Sequence, residues 1–313
     1  MEYKKLGASD LEVSVVGLGT WAMGSDFYGK TEDSKSILTI QQAIDSGINL
    51  IDTAPAYGGG HSEEVVGKAI EGRRDDVIIA TKCGAYRKGE EFVKSLKPEL
   101  IRKQLEDSLT RLNVEVIDLY QIHWPDKETP LEDSVNELLK LKKEGKFKYL
   151  GISNFDEDLI SEIIEMTDIV SLQPQYSLLS RDIEEDILPC CIENNIGVIS
   201  YGSLGGGILT GKYNQKPVLG QDDKRDTFYP FYDNPYWDKT QSLINLLKEI
   251  AHKHEKPVPN VAINWIRQQQ GVTTALVGAK TPKQAEQNAA AGGWKLSEDE
   301  LEELSKASKN ILG

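Results

Sequence analysis

The chain has 313 residues, 39% of them hydrophobic, with 36 lysines and arginines against 50 acidic residues and a formal charge of −14. A surface this acidic repels phosphate backbones and no basic patch interrupts it, which argues against nucleic acid as a partner. No apolar run reaches bilayer length, and the start MEYKKLGASD has no hydrophobic stretch after its lysines, so the expectation is a soluble cytoplasmic protein without membrane attachment.

In chain order, the first apolar, β-branched run is 13–16, and it leads into VVGLGTWAMG at 15–24. Gly17, Gly19 and Ala22 fit the dinucleotide fingerprint G-x-G-x-x-G/A. A Rossmann unit also needs an acidic residue about 20 residues further on. The candidate, Asp52, comes 33 residues after Gly19, so the glycines are assigned instead to a sharp turn. Further runs follow at 48–51, 77–80, 116–119, 147–152, 169–172, 196–199 and 273–277, each trailed by helical periodicity. Segment 98–112 shows the pattern well, with Ile101, Leu105, Leu109 and Leu112 on one face and charges on the other; Leu131, Val135, Leu138 and Lys142 repeat it.

Eight strand–helix alternations in one domain, residues 1–313, predict an α/β fold of the (β/α)8 TIM-barrel type, because eight parallel strands with crossover helices can close without edges. A doubly wound sheet is the rival. A polar, aromatic loop at 202–236 and a helical segment at 237–253 interrupt the rhythm, giving a barrel with long C-terminal-face loops and extra C-terminal helices. Within that loop GGILTGKY matches the Walker pattern G-x-x-x-x-G-K until Tyr213, which stands where Ser or Thr would hold Mg²⁺. That argues against an NTPase but not against phosphate. Cys83, Cys190 and Cys191 form no disulfide framework, and His61, His123, His252 and His254 have no familiar ligand spacing, so no metal is expected.

Chemistry in a barrel sits at the C-terminal strand ends. NLIDTAPAYGGG, VIIATK and DLYQIHWP deliver Asp52 and Tyr57, Lys82, and His123 there. Singly they read as a turn cap, a loop aromatic, a surface charge and a satisfied histidine. Together they make a working acid. A phenol with a pKa of ~10 donates poorly at neutral pH unless an adjacent ammonium lowers it. Lys82 supplies that charge, Asp52 holds Lys82, and neutral His123 orients the carbonyl oxygen to be protonated. Cys83 follows Lys82 on the strand, and alternation turns it away from the pocket.

D-T-A-x-x-Y-G, T-K and I-H-W, with GISNF, QPQYS and GAKTPKQAEQNA, resemble the aldo-keto reductase superfamily over essentially the whole chain, in the style of bacterial general-stress members. The resemblance implies NADPH-dependent reduction of a small-molecule aldehyde or ketone, with Asp52, Tyr57, Lys82 and His123 as the tetrad and Tyr57 the general acid. It implies that Ser153, Asn154 and Gln173 hold the nicotinamide carboxamide, that Tyr201 stacks on the ring, and that Gly19, Thr20 and Trp21 frame that end. Ser203, Leu204, Gly205, Gly207 and Lys212 match its pyrophosphate loop, where backbone amides and one cation face the phosphates. Gly278, Lys280, Gln284 and Asn288 align with its adenosine end, and Arg225 is placed to fold over the cofactor. Many members carry arginine where Gln284 stands, which leaves Lys280 as the main cation for a 2′-phosphate. The substrate pocket is assigned to Trp21, Tyr57, Tyr86, His123 and Trp124, with Phe27, Tyr28, Tyr229 and Phe231 from loops. Two other readings remain at this level: a Schiff-base aldolase using Lys82, and a non-catalytic, cofactor-bound redox-sensing subunit. Neither the physiological substrate nor the oligomeric state is legible.

Overall fold

A computed structural model describes residues 1–89 and 91–312. Eight parallel strands form a closed barrel: β1 (Val16–Gly19), β2 (Leu50–Asp52), β3 (Ile78–Cys83), β4 (Ile117–Ile122), β5 (Phe147–Ser153), β6 (Ser171–Gln173), β7 (Gly197–Ser200) and β8 (Val272–Gly278). Each strand pairs with its sequence neighbour, and β8 closes on β1 through Ala275↔Val16 and Gly278↔Gly19. The crossovers are helices α1 (Asp33–Asp45), α2 (His61–Ala69), α3 (Pro98–Leu112), α4 (Leu131–Lys143), α5 (Glu157–Ile164) and α6 (Ile187–Glu193). They are followed by α7 (Tyr236–Lys253), α8 (Val258–Arg267), α9 (Pro282–Ala289) and α10 (Glu298–Leu312). No helix among the described residues is long and apolar enough to cross a membrane.

Local chemistry sets these boundaries. α3 starts on Pro98, whose missing N–H costs nothing in a first turn, and ends at Asn113, which takes the left-handed conformation at φ 54°. Its Ile101, Leu105 and Leu112 are buried against the sheet as the periodicity required, and Leu109 packs on the same core half-buried. Alternation splits each strand between two cores. Outward residues such as Ile51, Ile79 and Ile152 pack against the helices, while inward Leu50, Ala80, Leu119, Ile199 and Leu276 fill the barrel.

The first predicted strand is corrected. Val13 lies in an antiparallel hairpin, Tyr3–Lys5 with Glu12–Ser14, which plugs the barrel floor, and β1 begins only at Val16. Leu6, Leu11 and Val13 complete the inner core from below. A continuous apolar run concealed the break because both halves are buried.

The glycines of the opening motif are corrected as well. Gly17, Gly19 and Gly24 are absent from the left-handed region, so conformational freedom is not their role. Close approach is. A Cβ on Gly17 would lie 2.7 Å from Leu276 Cδ2, and one on Gly24 would lie 2.7 Å from the backbone of Tyr57 and Gly58.

Candidate active site

The parity that fills the barrel with Leu50, Ala80 and Leu119 also turns Asp52, Lys82 and Gln121 inward one layer higher. Lys82 is fully buried and its Nζ is divided among three oxygens: Asp52 Oδ1 at 2.7 Å, the Thr53 carbonyl at 2.9 Å and the Tyr57 hydroxyl at 3.3 Å. The other Asp52 oxygen accepts from Gln173 Nε2 at 2.8 Å and Gln121 Nε2 at 3.2 Å. The carboxylate is therefore fully bonded within the barrel. Gln121 escaped the sequence reading, although its place two residues before His123 on the same face was a usable signal.

Tyr57 arrives from the loop after β2, on a turn where Gly58 and Gly59 take φ values of 62° and 64°. Gly58 packs on Gly24 so closely that its Cβ would lie 2.2 Å from the Gly24 carbonyl oxygen. The Trp21 ring stacks on Tyr57 at 5.8 Å, and His123 meets Tyr57 edge-on at 5.9 Å. GLGTWAMG thus serves the position of Tyr57 rather than a phosphate.

Burial raises the Tyr57 pKa well above its ordinary value, with Asp52 and then Asp26 adding to the rise. The direction is opposite to the expectation that Lys82 lowers this phenol: burial outweighs the ammonium, and the hydroxyl keeps its proton. Burial lowers the Lys82 pKa, and the Asp52 charge opposes that. His123 is driven well below the usual imidazole value by burial, then by Lys82 and Lys94, so the ring is neutral. Its buried Nδ1 has no hydrogen-bond partner among the described residues. Cys83 points outward into the helix-side core, where burial pushes its thiol up to about 12.

A cavity of about 710 Å³ opens over these residues. Trp21, Tyr57, His123 and Trp124 line one end, with Asp52 and Gly19 below them. Ser153, Asn154, Gln173 and Tyr201 form the floor beyond. Their polar groups are engaged with one another: Ser153 Oγ donates to the Gln173 carbonyl, Asn154 Nδ2 to the His123 carbonyl, and the Tyr201 hydroxyl to Asn154 Oδ1. Ser203, Leu204, Gly207, Lys212 and Arg225 follow, and Gly278, Lys280, Gln284 and Asn288 line the far end. Phe27, Tyr28 and Tyr229 also line the cavity, while Phe231 packs beside it in the core.

Besides Phe231, three more assigned residues do not reach the wall. The Thr20 hydroxyl is buried against the Asp52 carbonyl and Ser62, Gly205 lies beneath its loop, and Tyr86 gives way to Arg87, Phe92 and Lys94 on the same hairpin. Strand parity in a surface hairpin is invisible without its register, here Tyr86↔Val93 and Arg87↔Phe92. Lys82 also lies outside the lining, sealed behind Asp52 and Tyr57.

Along the loop after β7, Gly205, Gly206 and Gly207 take φ values of 54°, 67° and 103°, so this turn belongs to glycine. Arg225 donates to the Gly206 carbonyl at 2.7 Å and is bound by both oxygens of Asp223. Lys280 Nζ donates to the Tyr28 carbonyl, and the Gln284 side chain accepts from the Lys280 backbone N–H at 2.8 Å. The Tyr28 strap was not legible, because it depends on loops distant in sequence folding together, whereas the Asp223 clamp is local, two residues before Arg225, and that spacing was a usable signal.

Residues 15–309 match the model of the Aldo/keto reductase family. An aldo-keto reductase of Bacillus subtilis is 38% identical, covering 100% of this chain and 95% of its own length. An Escherichia coli protein named NADH-specific methylglyoxal reductase is 35% identical over 94% of each chain. Among solved structures, a glycerol dehydrogenase from Gluconobacter oxydans superposes with a TM-score of 0.89 at 40% identity, covering 99% of this chain and 94% of that one.

Proposed function

The chain belongs to the aldo/keto reductase family, and on that premise we propose that it reduces aldehydes or ketones to alcohols with NADPH, with Tyr57 as the proton donor. The observation that carries this reading is the single buried ammonium shared between Asp52 Oδ1 and the Tyr57 hydroxyl.

The residues fit a dinucleotide. The cavity volume lies in the range of cofactor sites. It runs from the aromatic and tetrad end, past a turn whose three left-handed glycines let backbone approach a ligand closely, to Lys212, Arg225 and Lys280. Ser153, Asn154, Gln173 and Tyr201 would hold the nicotinamide end, the glycine turn with Lys212 the phosphates, and Lys280 with Arg225 the 2′-phosphate. When bound, the nicotinamide supplies the hydride that goes to the carbonyl carbon.

The protein's own part is the proton. Tyr57 is protonated at rest, and burial raises its pKa further. As negative charge grows on the carbonyl oxygen, the proton leaves the Tyr57 hydroxyl for it, and Lys82 at 3.3 Å stabilises the phenolate left behind. Asp52 keeps the ammonium in place, and neutral His123 orients the carbonyl oxygen without adding charge. Lys82, paired and off the cavity wall, does not fit the Schiff-base reading.

The choice of NADPH rests on Lys280 and Arg225, since one relative bears the name of an NADH-specific enzyme. Loss of NADPH absorbance over a panel of aldehydes and ketones, with NADH in parallel, tests the proposal. Tyr57→Phe should lower turnover roughly 10²- to 10⁴-fold with nearly unchanged cofactor affinity, because the ring is retained. A variant turning over within tenfold of wild type removes Tyr57 from the role.

A further inference from the structure

Beyond the tetrad, the cations around the cavity differ in how they are engaged. Arg225 is bound by Asp223, and Lys280 is tied to the Tyr28 carbonyl. At the tetrad end, Arg87 is paired with Asp26 at 2.9 Å. Lys94 is different. Its Nζ lies 3.8 Å from the Trp124 ring centroid at the cavity wall; burial and then the neighbouring cation Lys127 lower its pKa, and no carboxylate among the described residues pairs with it. Asp126, the acid beside Lys127 in the chain, is turned away and accepts from the Leu96 backbone N–H and the Thr129 hydroxyl. Lys212, the remaining cation of the lining, sits over the Tyr213 ring at 4.6 Å beyond the glycine turn, so among the described residues Lys94 is the cation beside the tetrad that has no carboxylate partner, in a chain of formal charge −14.

This cation adjoins the reacting centre. Trp124 lies 6.5 Å from the His123 ring, and Phe92, on the same hairpin as Lys94, meets His123 edge-on at 6.3 Å. Phe92 and Trp124 make two apolar walls, and Lys94 stands over one of them.

We propose that the substrate is a carbonyl compound bearing a carboxylate a few carbons from the carbonyl, and that Lys94 is the residue that selects it. This rests on the carbonyl-reductase reading above. A single flexible ammonium suits a monoanion, whereas the fork that would grip a phosphate bidentately, Arg87, is occupied by Asp26. The ammonium also offsets the repulsion that so acidic a chain exerts on an anionic substrate.

The test uses para-formylbenzoate and its methyl ester, which share ring and aldehyde and differ in charge, the ester being intrinsically the more reactive toward hydride, so that a preference for the carboxylate must come from binding. Wild type should prefer the carboxylate by roughly 3- to 30-fold in kcat/KM, mostly through KM, and the preference should shrink with added salt. Lys94→Met keeps the stem over Trp124 and should bring the ratio toward one, while Lys94→Arg should restore it. Equal kcat/KM for the two compounds in wild type, or a preference that survives in Lys94→Met, overturns the assignment and leaves the reductase reading intact. No turnover of either compound with either cofactor overturns both.

Discussion

Replacing Lys82 by Met removes the ammonium and leaves the Asp52 carboxylate, 2% exposed, in the barrel. Breaking a buried ion pair on one side costs about 3–5 kcal/mol, because the surviving charge is neither solvated nor paired. Here the lower part of that range is expected, since Gln173 and Gln121 still donate to Asp52 Oδ2 at 2.8 and 3.2 Å. Turnover should fall roughly 10²- to 10⁴-fold, about 3–5.5 kcal/mol in the barrier, because Tyr57 loses the cation that stabilises its phenolate. The double variant Asp52→Asn with Lys82→Met separates these effects. It removes both charges from the dry layer, so it should recover most of the stability and none of the turnover. Urea unfolding and initial rates on the two variants and wild type provide the measurements. Two outcomes refute the reasoning: a Lys82→Met protein as stable as wild type, or a double variant whose turnover returns with its stability.

Lys280→Ala should weaken NADPH roughly 5- to 100-fold while barely touching NADH, and Gln284→Arg should act oppositely; fluorescence titration of both cofactors decides, and equal losses would mean that Lys280 only ties down the Tyr28 strap. Because the His123 pKa is lowered in the folded state, the unfolded chain binds its proton more readily, so this group's contribution to stability is present above about pH 6.5 and lost as pH falls through the lower folded value. Wild type should therefore lose stability on acidification from pH 7 toward pH 5 more steeply than His123→Gln, and parallel slopes in urea unfolding would count against a buried neutral ring. Gly24→Ala should lower turnover while leaving the fold intact, since its Cβ would lie 2.7 Å from the Tyr57 backbone and shift that loop; a wild-type rate would show that the loop yields freely.

What the sequence by itself determined was everything periodic or local. Strand–helix alternation narrowed the fold to a barrel or its rival, a doubly wound sheet, because short buried strands and amphipathic helices leave few other ways to hide both sheet faces. α3 spans the residues that its apolar stripe and Pro98 indicated. Parity placed Lys82 inward and Cys83 outward, since successive Cβ atoms point to opposite faces of a strand. The strand-end positions of Asp52, Lys82 and His123 follow from the same rule.

Only the tertiary structure decided matters that depend on two distant segments meeting. The floor hairpin took Val13 out of the first barrel strand, because burial looks the same on either side of a turn. The glycines of GLGTWAMG proved to be contact points for Leu276 and for the Tyr57 loop, and nothing within their own segment names those neighbours. The upward shift of the Tyr57 pKa comes from burial, a property of the side chains packed around it rather than of any motif. The Tyr28 carbonyl over Lys280 and the seat of Lys94 on Trp124 also arise between segments far apart in the chain, where no repeat or spacing carries the information.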